Sequence, residues 1–194
     1  MAKSVLKGSA RVQAQLNGIG RELQGGWMKR LLSRVLRRTQ ALPHANIGFL
    51  EGAAYPDGTP LATVAYYNEF GTDRIPARPF MRQAIAKNQD QWPKLLAASL
   101  KATRGDLEKA LDMTAERIVG QIQASIEKGT YEPDSPVTNL LKDRFPKREQ
   151  SGMTPADVWQ AMRDVKNGAT APAAKPLDWT GDLYQNVNKE VVSD

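Results

Sequence analysis

Apolar positions along the 194-residue chain follow two different rhythms. Over residues 9–24 and 27–40 they recur at helical spacing, with Leu16, Ile19 and Leu23 in the first stretch and Trp27, Leu31, Leu32, Val35 and Leu36 in the second. Gly25 and Gly26 separate the two, so the pattern predicts two helices or one broken helix, ended by Pro43. The clearest helix is Asp106 to Lys128, where Leu107, Leu111, Ile118, Ile122 and Ile126 line one face, Asp106 stands as N-cap and Gly129 as stop. The second rhythm is short and strand-like. Ile47, Phe49 and Leu50 precede the turn sequence Tyr55-Pro56-Asp57-Gly58-Thr59-Pro60, and Thr63 to Tyr67 follows it, rich in β-branched and aromatic types. These predict a hairpin, while Ala65 to Phe70 fits a helical turn equally well, because short apolar runs do not fix their own period.

Prolines punctuate the remainder. In Ile75-Pro76-Ala77-Arg78-Pro79-Phe80 they force extended backbone, and Pro79 then suits the first turn of a helix running to about Asp90. Pro93 marks a restart that continues to Ala102. Residues 129–153, with three prolines and many charges, read as a surface loop. Thr154 caps a helix reaching about Val165, residues 167–174 resemble a linker, and a short helix over Gly181 to Asn186 leads into a last strand, Val187 to Val192. The fold class expected is α+β: a small antiparallel sheet packed on the long helix, with N-terminal helices and a long inserted loop.

Composition adds bounds. A hydrophobic share of 41% with 25% charged residues belongs to a chain that folds. Without cysteine there is neither disulfide framework nor thiolate metal site, and no apolar run is long enough to span a membrane, so a soluble protein made in a cytoplasm is expected. Residues 1–45 hold nine of the 27 basic side chains against one acid, Glu22, which leaves 18 basic and 20 acidic groups for everything after them. Such polarity suits a nucleic-acid contact or an acidic docking partner, as well as a plain solvated helix face. Trp27 is the only aromatic in that segment, too few for a stacking platform, and no sequence-reading motif is present. A salt-sensitive, non-specific contact with a DNA backbone is what remains.

Candidate chemistry is sparse. His44 is the only histidine, and one imidazole with no thiol falls short of a zinc site or a catalytic triad. Glu51, Glu69 and Asp73 form no recognisable acid pair, and no phosphate-cradling glycine loop occurs. The sequence therefore predicts no catalytic, cofactor-binding or metal residue, and no enzyme.

Two stretches carry a resemblance. Residues 65–82, Ala-Tyr-Tyr-Asn-Glu-Phe-Gly-Thr-Asp-Arg-Ile-Pro-Ala-Arg-Pro-Phe-Met-Arg, place a Glu-Phe-Gly-Thr block ahead of Pro-x-Arg-Pro-Phe. Residues 175–183, Lys-Pro-Leu-Asp-Trp-Thr-Gly-Asp-Leu, combine Pro-Leu with Thr-Gly-x-Leu ahead of a closing strand, and Ser135-Pro136-Val137-Thr138 with Lys142 precedes them. This order resembles the tail-completion, minor tail and virion-morphogenesis proteins of long-tailed bacteriophages, over roughly residues 46–142 and 175–192. The interval 143–174 is longer than in that group, so the resemblance divides the chain into a basic helical segment, 1–45, and an α+β domain, 46–194, carrying an insertion.

The resemblance implies a structural virion protein acting at the neck or head-proximal tail end in tail completion and head–tail joining. It implies a homo-oligomeric ring whose partners are the neighbouring neck, connector and tail proteins, with DNA passing through and no membrane involved. The alternative is a basic nucleic-acid-binding protein. The residues expected at interfaces are Glu69, Asp73, Arg74 and Arg78, taken as exposed, with Arg78 paired to a carboxylate of a neighbouring copy, and Arg34, Arg37 and Arg38 on the basic face. Phe70, Gly71, Pro76, Pro79, Phe80, Thr180, Gly181 and Leu183 are expected to shape the motif itself, Gly71 by turning where a Cβ would clash and Phe80 by anchoring the stiff segment.

Overall fold

The computed structural model of the chain describes residues 43–55, 58–146 and 153–193. The expected N-terminal helices, with Arg34, Arg37 and Arg38, and residues 147–152 of the insertion lie outside the described residues. The described elements run β1 (His44–Gly48), α1 (Leu61–Phe70), α2 (Phe80–Asn88), a 3-10 turn (Gln89–Gln91), α3 (Trp92–Ala102), α4 (Leu107–Lys128), α5 (Pro136–Arg144), α6 (Pro155–Lys166), α7 (Asp182–Gln185) and β2 (Asn188–Val192). The fold is α+β, with one two-stranded antiparallel sheet, β1 on β2. Contacts group the described residues into two units, residues 43–46, 88–117 and 190–193 in one, and 47–87 and 118–189 in the other.

In the first unit, α3 and α4 form a helical hairpin around Thr103 to Asp106. The Thr103 hydroxyl lies 2.9 Å from both the Ser99 and the Asp106 carbonyl and shares its one proton between them, closing the turn while Arg104 and Gly105 adopt positive φ. Asp106 caps α4 as expected, its carboxylate accepting from the Lys109 backbone N–H at 3.1 Å.

The second unit has two cores. In the first, fully buried Phe80 packs with Ala65, Ala84, Val119, Ile122, Ile126, Leu183 and Val187, and Ile47 of β1 lies against the same cluster. Phe49 meets Phe80 edge-on, ring centroids 6.2 Å apart. In the second, Leu140 and Leu141 of α5 face Ala161 of α6, flanked by Val158, Val165 and Trp179. Trp179 fixes its indole by donating to the Phe145 carbonyl at 2.9 Å. Thr154 and Asp157 form a capping box at the start of α6, and the Arg144 guanidinium beside Asp164 holds that carboxyl below the usual carboxylate range.

Three expectations are corrected. Residues 63–67 are not a hairpin strand but part of α1, because Leu61, Ala65 and Glu69 stand at i, i+4 and i+8 and form one buried stripe. The partner of β1 is instead β2, near the other end of the chain, with Asn46 donating to Glu190 at 2.8 Å. The loop expected over residues 129–153 contains α5, whose N-cap Ser135 accepts from the Thr138 N–H at 3.1 Å and whose first helical residue is Pro136. The interval 143–174 is likewise no long loop, since α6 occupies twelve of its residues, and Ala169 and Ala171 of the linker-like stretch pack on the second core.

Gly71 turns the chain from α1 into the proline segment at φ 75° and ψ 176°, a region open essentially to glycine alone. A Cβ there would lie 2.9 Å from both the Ala77 nitrogen and the Ile75 oxygen. Gly71→Ala should therefore cost about 1–3 kcal/mol from backbone strain alone. The urea midpoint of unfolding should fall with an unchanged slope; an unchanged midpoint would show that this turn is not held in the conformation described.

Candidate functional site

The proline segment after Gly71 has no regular secondary structure, so its backbone polar groups and its charged side chain need partners elsewhere. Arg78 supplies the solution. Its backbone N–H donates to the Asn68 carbonyl at 2.6 Å, while its side chain turns inward. There Nε donates to the Glu132 carbonyl at 3.0 Å, and Nη2 to the Pro133 carbonyl at 3.3 Å and to the Asp134 carboxylate at 2.8 Å. The other Asp134 oxygen accepts from Lys142 at 2.7 Å. Lys142 spends its remaining two protons on the Lys175 and Asp178 carbonyls, at 2.7 and 2.9 Å. Side-chain exposures of 7%, 6% and 10% make Arg78, Asp134 and Lys142 a buried ionic triad. Three stretches of sequence that carry the resemblance, around residues 78, 135–142 and 175–183, thus meet at one ionic cluster, the last through the carbonyls that Lys142 binds.

Above the triad lies a groove of about 410 Å³. Val64 of α1 and Ile75 of the first block contribute apolar wall, as do Leu177 and Trp179 of the last, and Arg78, Asp134 and Lys142 line the groove as well. Leu177 holds φ 61°, a left-handed conformation uncommon for a bulky side chain, in the loop whose carbonyls Lys142 clamps on either side.

Glu69 performs a second buried task. Its carboxylate accepts from the backbone N–H groups of Met81 and Arg82 at 2.9 and 3.0 Å, so it serves as a cap for α2 from outside the helix. Arg82 answers with Nε to the same carboxylate at 2.9 Å and Nη2 to the Glu69 carbonyl at 2.6 Å. Its guanidinium also lies 4.8 Å from the Phe70 ring centroid. Tyr66 and Phe70, 58% and 53% exposed, meet at a tilt with centroids 4.8 Å apart, and Tyr67 adjoins them. The outward side of α1 is an aromatic face edged by an arginine.

The expected exposure of Glu69 and Arg78 is therefore corrected: both are buried, since each satisfies backbone groups of its own chain, and Arg78 has a carboxylate partner within its own chain, Asp134. Asp73 and Arg74 are exposed, at a tight turn where the Thr72 hydroxyl accepts from the Arg74 and Ile75 N–H groups. Phe80 and Leu183 sit in the core; Pro76 and Phe70 are exposed, and Pro79 immediately precedes α2. Gly181 adopts φ 85° ahead of α7, and the Thr180 hydroxyl accepts from the Asp182 N–H. Sequence reasoning missed Asp134, the tyrosines and the role of Lys142; the Asp-Ser-Pro run before α5 was the available signal for the first. Among the described residues no three His, Asp or Glu side chains gather as a metal site, and no helix is long and apolar enough to cross a membrane.

Compared with protein-family models, curated proteins and solved structures, the chain matches none.

Asp134→Ala would leave two buried cations without their counter-charge and should cost about 3–5 kcal/mol. Replacing all three members together, Arg78→Met, Asp134→Leu and Lys142→Met, should cost clearly less than the sum of the single changes, because no charge is stranded. Additive losses in thermal unfolding would mean the three side chains do not act as one unit.

Proposed function

We propose that this chain is a structural subunit of a tailed-phage virion, acting at the neck or head-proximal tail end in tail completion and head–tail joining. The observation that carries the reading is where the resembling blocks lead: they interlock through a buried triad and turn an aromatic face outward from the first of them. Exposed Tyr66, Tyr67 and Phe70 beside Arg82 have the composition of protein–protein anchors, large rigid groups that lose little entropy on docking.

A ring needs two different faces on each subunit that complement one another. The second unit offers a second exposed apolar pair, Trp159 and Met162 on α6, 64% and 46% exposed. In this reading the α1 face of one copy grips the α6 face of the next. The copies stand between connector and tail tube in the virion, after synthesis in the host cytoplasm, and the basic first 45 residues face the DNA or an acidic neighbour. The rival, a nucleic-acid-binding protein, draws on the same basic segment and requires tight duplex binding by the isolated chain with a steep salt slope.

The test uses two variants, Phe70→Glu and Trp159→Glu, both at exposed positions and expected to stay folded, with a small fall in melting temperature for Phe70→Glu because the Arg82 guanidinium loses its ring contact. Neither should form rings in sedimentation velocity. Mixed together they should form a dimer and nothing larger, because one intact pair of faces survives. Rings formed by either variant alone would defeat the two-face arrangement. Particles that join heads to tails normally when the polypeptide is deleted would defeat the virion role.

A further inference from the structure

The groove above the triad holds a donor that the fold leaves unused. Arg78 is only 6% exposed as a residue, and its Nε and Nη2 are fully engaged by Glu132, Pro133 and Asp134. Its Nη1 donates to no group among the described residues. Yet no buried side-chain nitrogen or oxygen among them is sealed without a partner, so Nη1 reaches open space, and the open space that Arg78 lines is the groove. An arginine held this rigidly, with one nitrogen directed outward, is a preorganised donor for a planar acceptor.

The charged groups narrow the acceptor. Among the described residues that line the groove, Asp134 is already shared by Arg78 and Lys142, while Arg74 and the Nη1 of Arg78 stay on the groove side. Arg74 stands exposed at the rim, and its guanidinium makes no ion pair among the described residues. A polyanion meets two fixed carboxylates, Asp134 and Asp178, which disfavours a nucleic-acid backbone. The apolar walls from Val64, Ile75, Leu177 and Trp179 suit aliphatic groups on either side of an acidic one, and a volume of about 410 Å³ accommodates a few residues of peptide.

We propose that this groove is a recognition site for a peptide segment bearing an acidic side chain flanked by aliphatic residues, its carboxylate bound by Arg78 Nη1 and by Arg74. The site is distinct from the aromatic face of α1 and does not depend on the virion reading: it would serve any protein partner that presents such a segment.

The experiment titrates the full-length chain with the blocked peptide acetyl-Leu-Glu-Leu-amide, following the Arg78 guanidinium and Trp179 indole signals by nuclear magnetic resonance. Saturable shifts at both are expected in the millimolar range, with the Gln analogue roughly ten- to hundredfold weaker, because it loses a charge-assisted hydrogen bond. Arg74→Gln, at an exposed position, should weaken the Glu peptide and leave the Gln peptide unchanged. Equal responses to the two peptides, or none from either, would overturn the proposal. So would a thymidine oligonucleotide that shifts the same signals at lower concentration, which would assign the groove to nucleic acid instead.

Discussion

A single carboxylate shared by two cations holds together the part of this chain that has least regular structure. Asp134 lies in an extended stretch before α5, Arg78 in the proline segment before α2, and Lys142 on α5. Taking such charges out of water is expensive, and Coulomb attraction alone does not repay it. Here the remaining donors each find a backbone carbonyl in a loop, Glu132 and Pro133 for Arg78, Lys175 and Asp178 for Lys142. The triad therefore does what strand pairing does elsewhere: it satisfies loop carbonyls and fixes segments in relation to one another. An apolar cluster could bury as much area but could not fix the direction of four carbonyl groups.

Glu69 repeats the device on a smaller scale. A buried carboxylate at the end of the α1 stripe ties the first turn of α2, so the reversal through Gly71 is held on one side by backbone geometry and on the other by a charged cap. Phe80, one residue before the capped amides, is thereby aimed into the core against Phe49. The same side of the chain then presents Tyr66, Phe70 and Arg82 outward. Buried charge and exposed aromatics invert the usual partition, and both follow from one helix whose interior stripe ends in an acid.

That inversion decides what could be read from the sequence. Helix α4 was legible because its apolar residues recur with helical period between an Asp cap and Gly129, and α6 because Thr154 and Pro155 announce its start. The Gly71 turn was legible too, since so many groups of a following proline segment must pass close to it. Helix α1 was legible only as one of two readings over Ala65 to Phe70, because three aromatics lie on its wet face and a carboxylate on its dry one, which blurs the periodic signal. Proline and charge density hid α5, although Val137, Leu140 and Leu141 already stood at helical spacing behind a Ser-Pro start. Arg78 and Glu69 read as surface residues for a general reason: a charged side chain goes inside only when its partners do, and those of Arg78 lie more than fifty residues away in the chain.

Rigidity of this kind bears on the assembly role proposed for the chain. A subunit that closes a ring accumulates angular error with every copy, so the elements bearing its contact faces must be fixed before docking. The α1 face is fixed by the Glu69 link to α2 and the Gly71 turn, while α6 is fixed by its packing on α5, the helix that carries Lys142. Lys142 and Arg78 share Asp134, so the two faces are coupled through one ionic contact rather than through a flexible connection. The groove over that contact is then the point at which a bound segment would touch the linkage between both faces. A partner's carboxylate placed on Arg78 would compete electrostatically with Asp134 for the same guanidinium, and so would act on the one interaction to which both faces are tied.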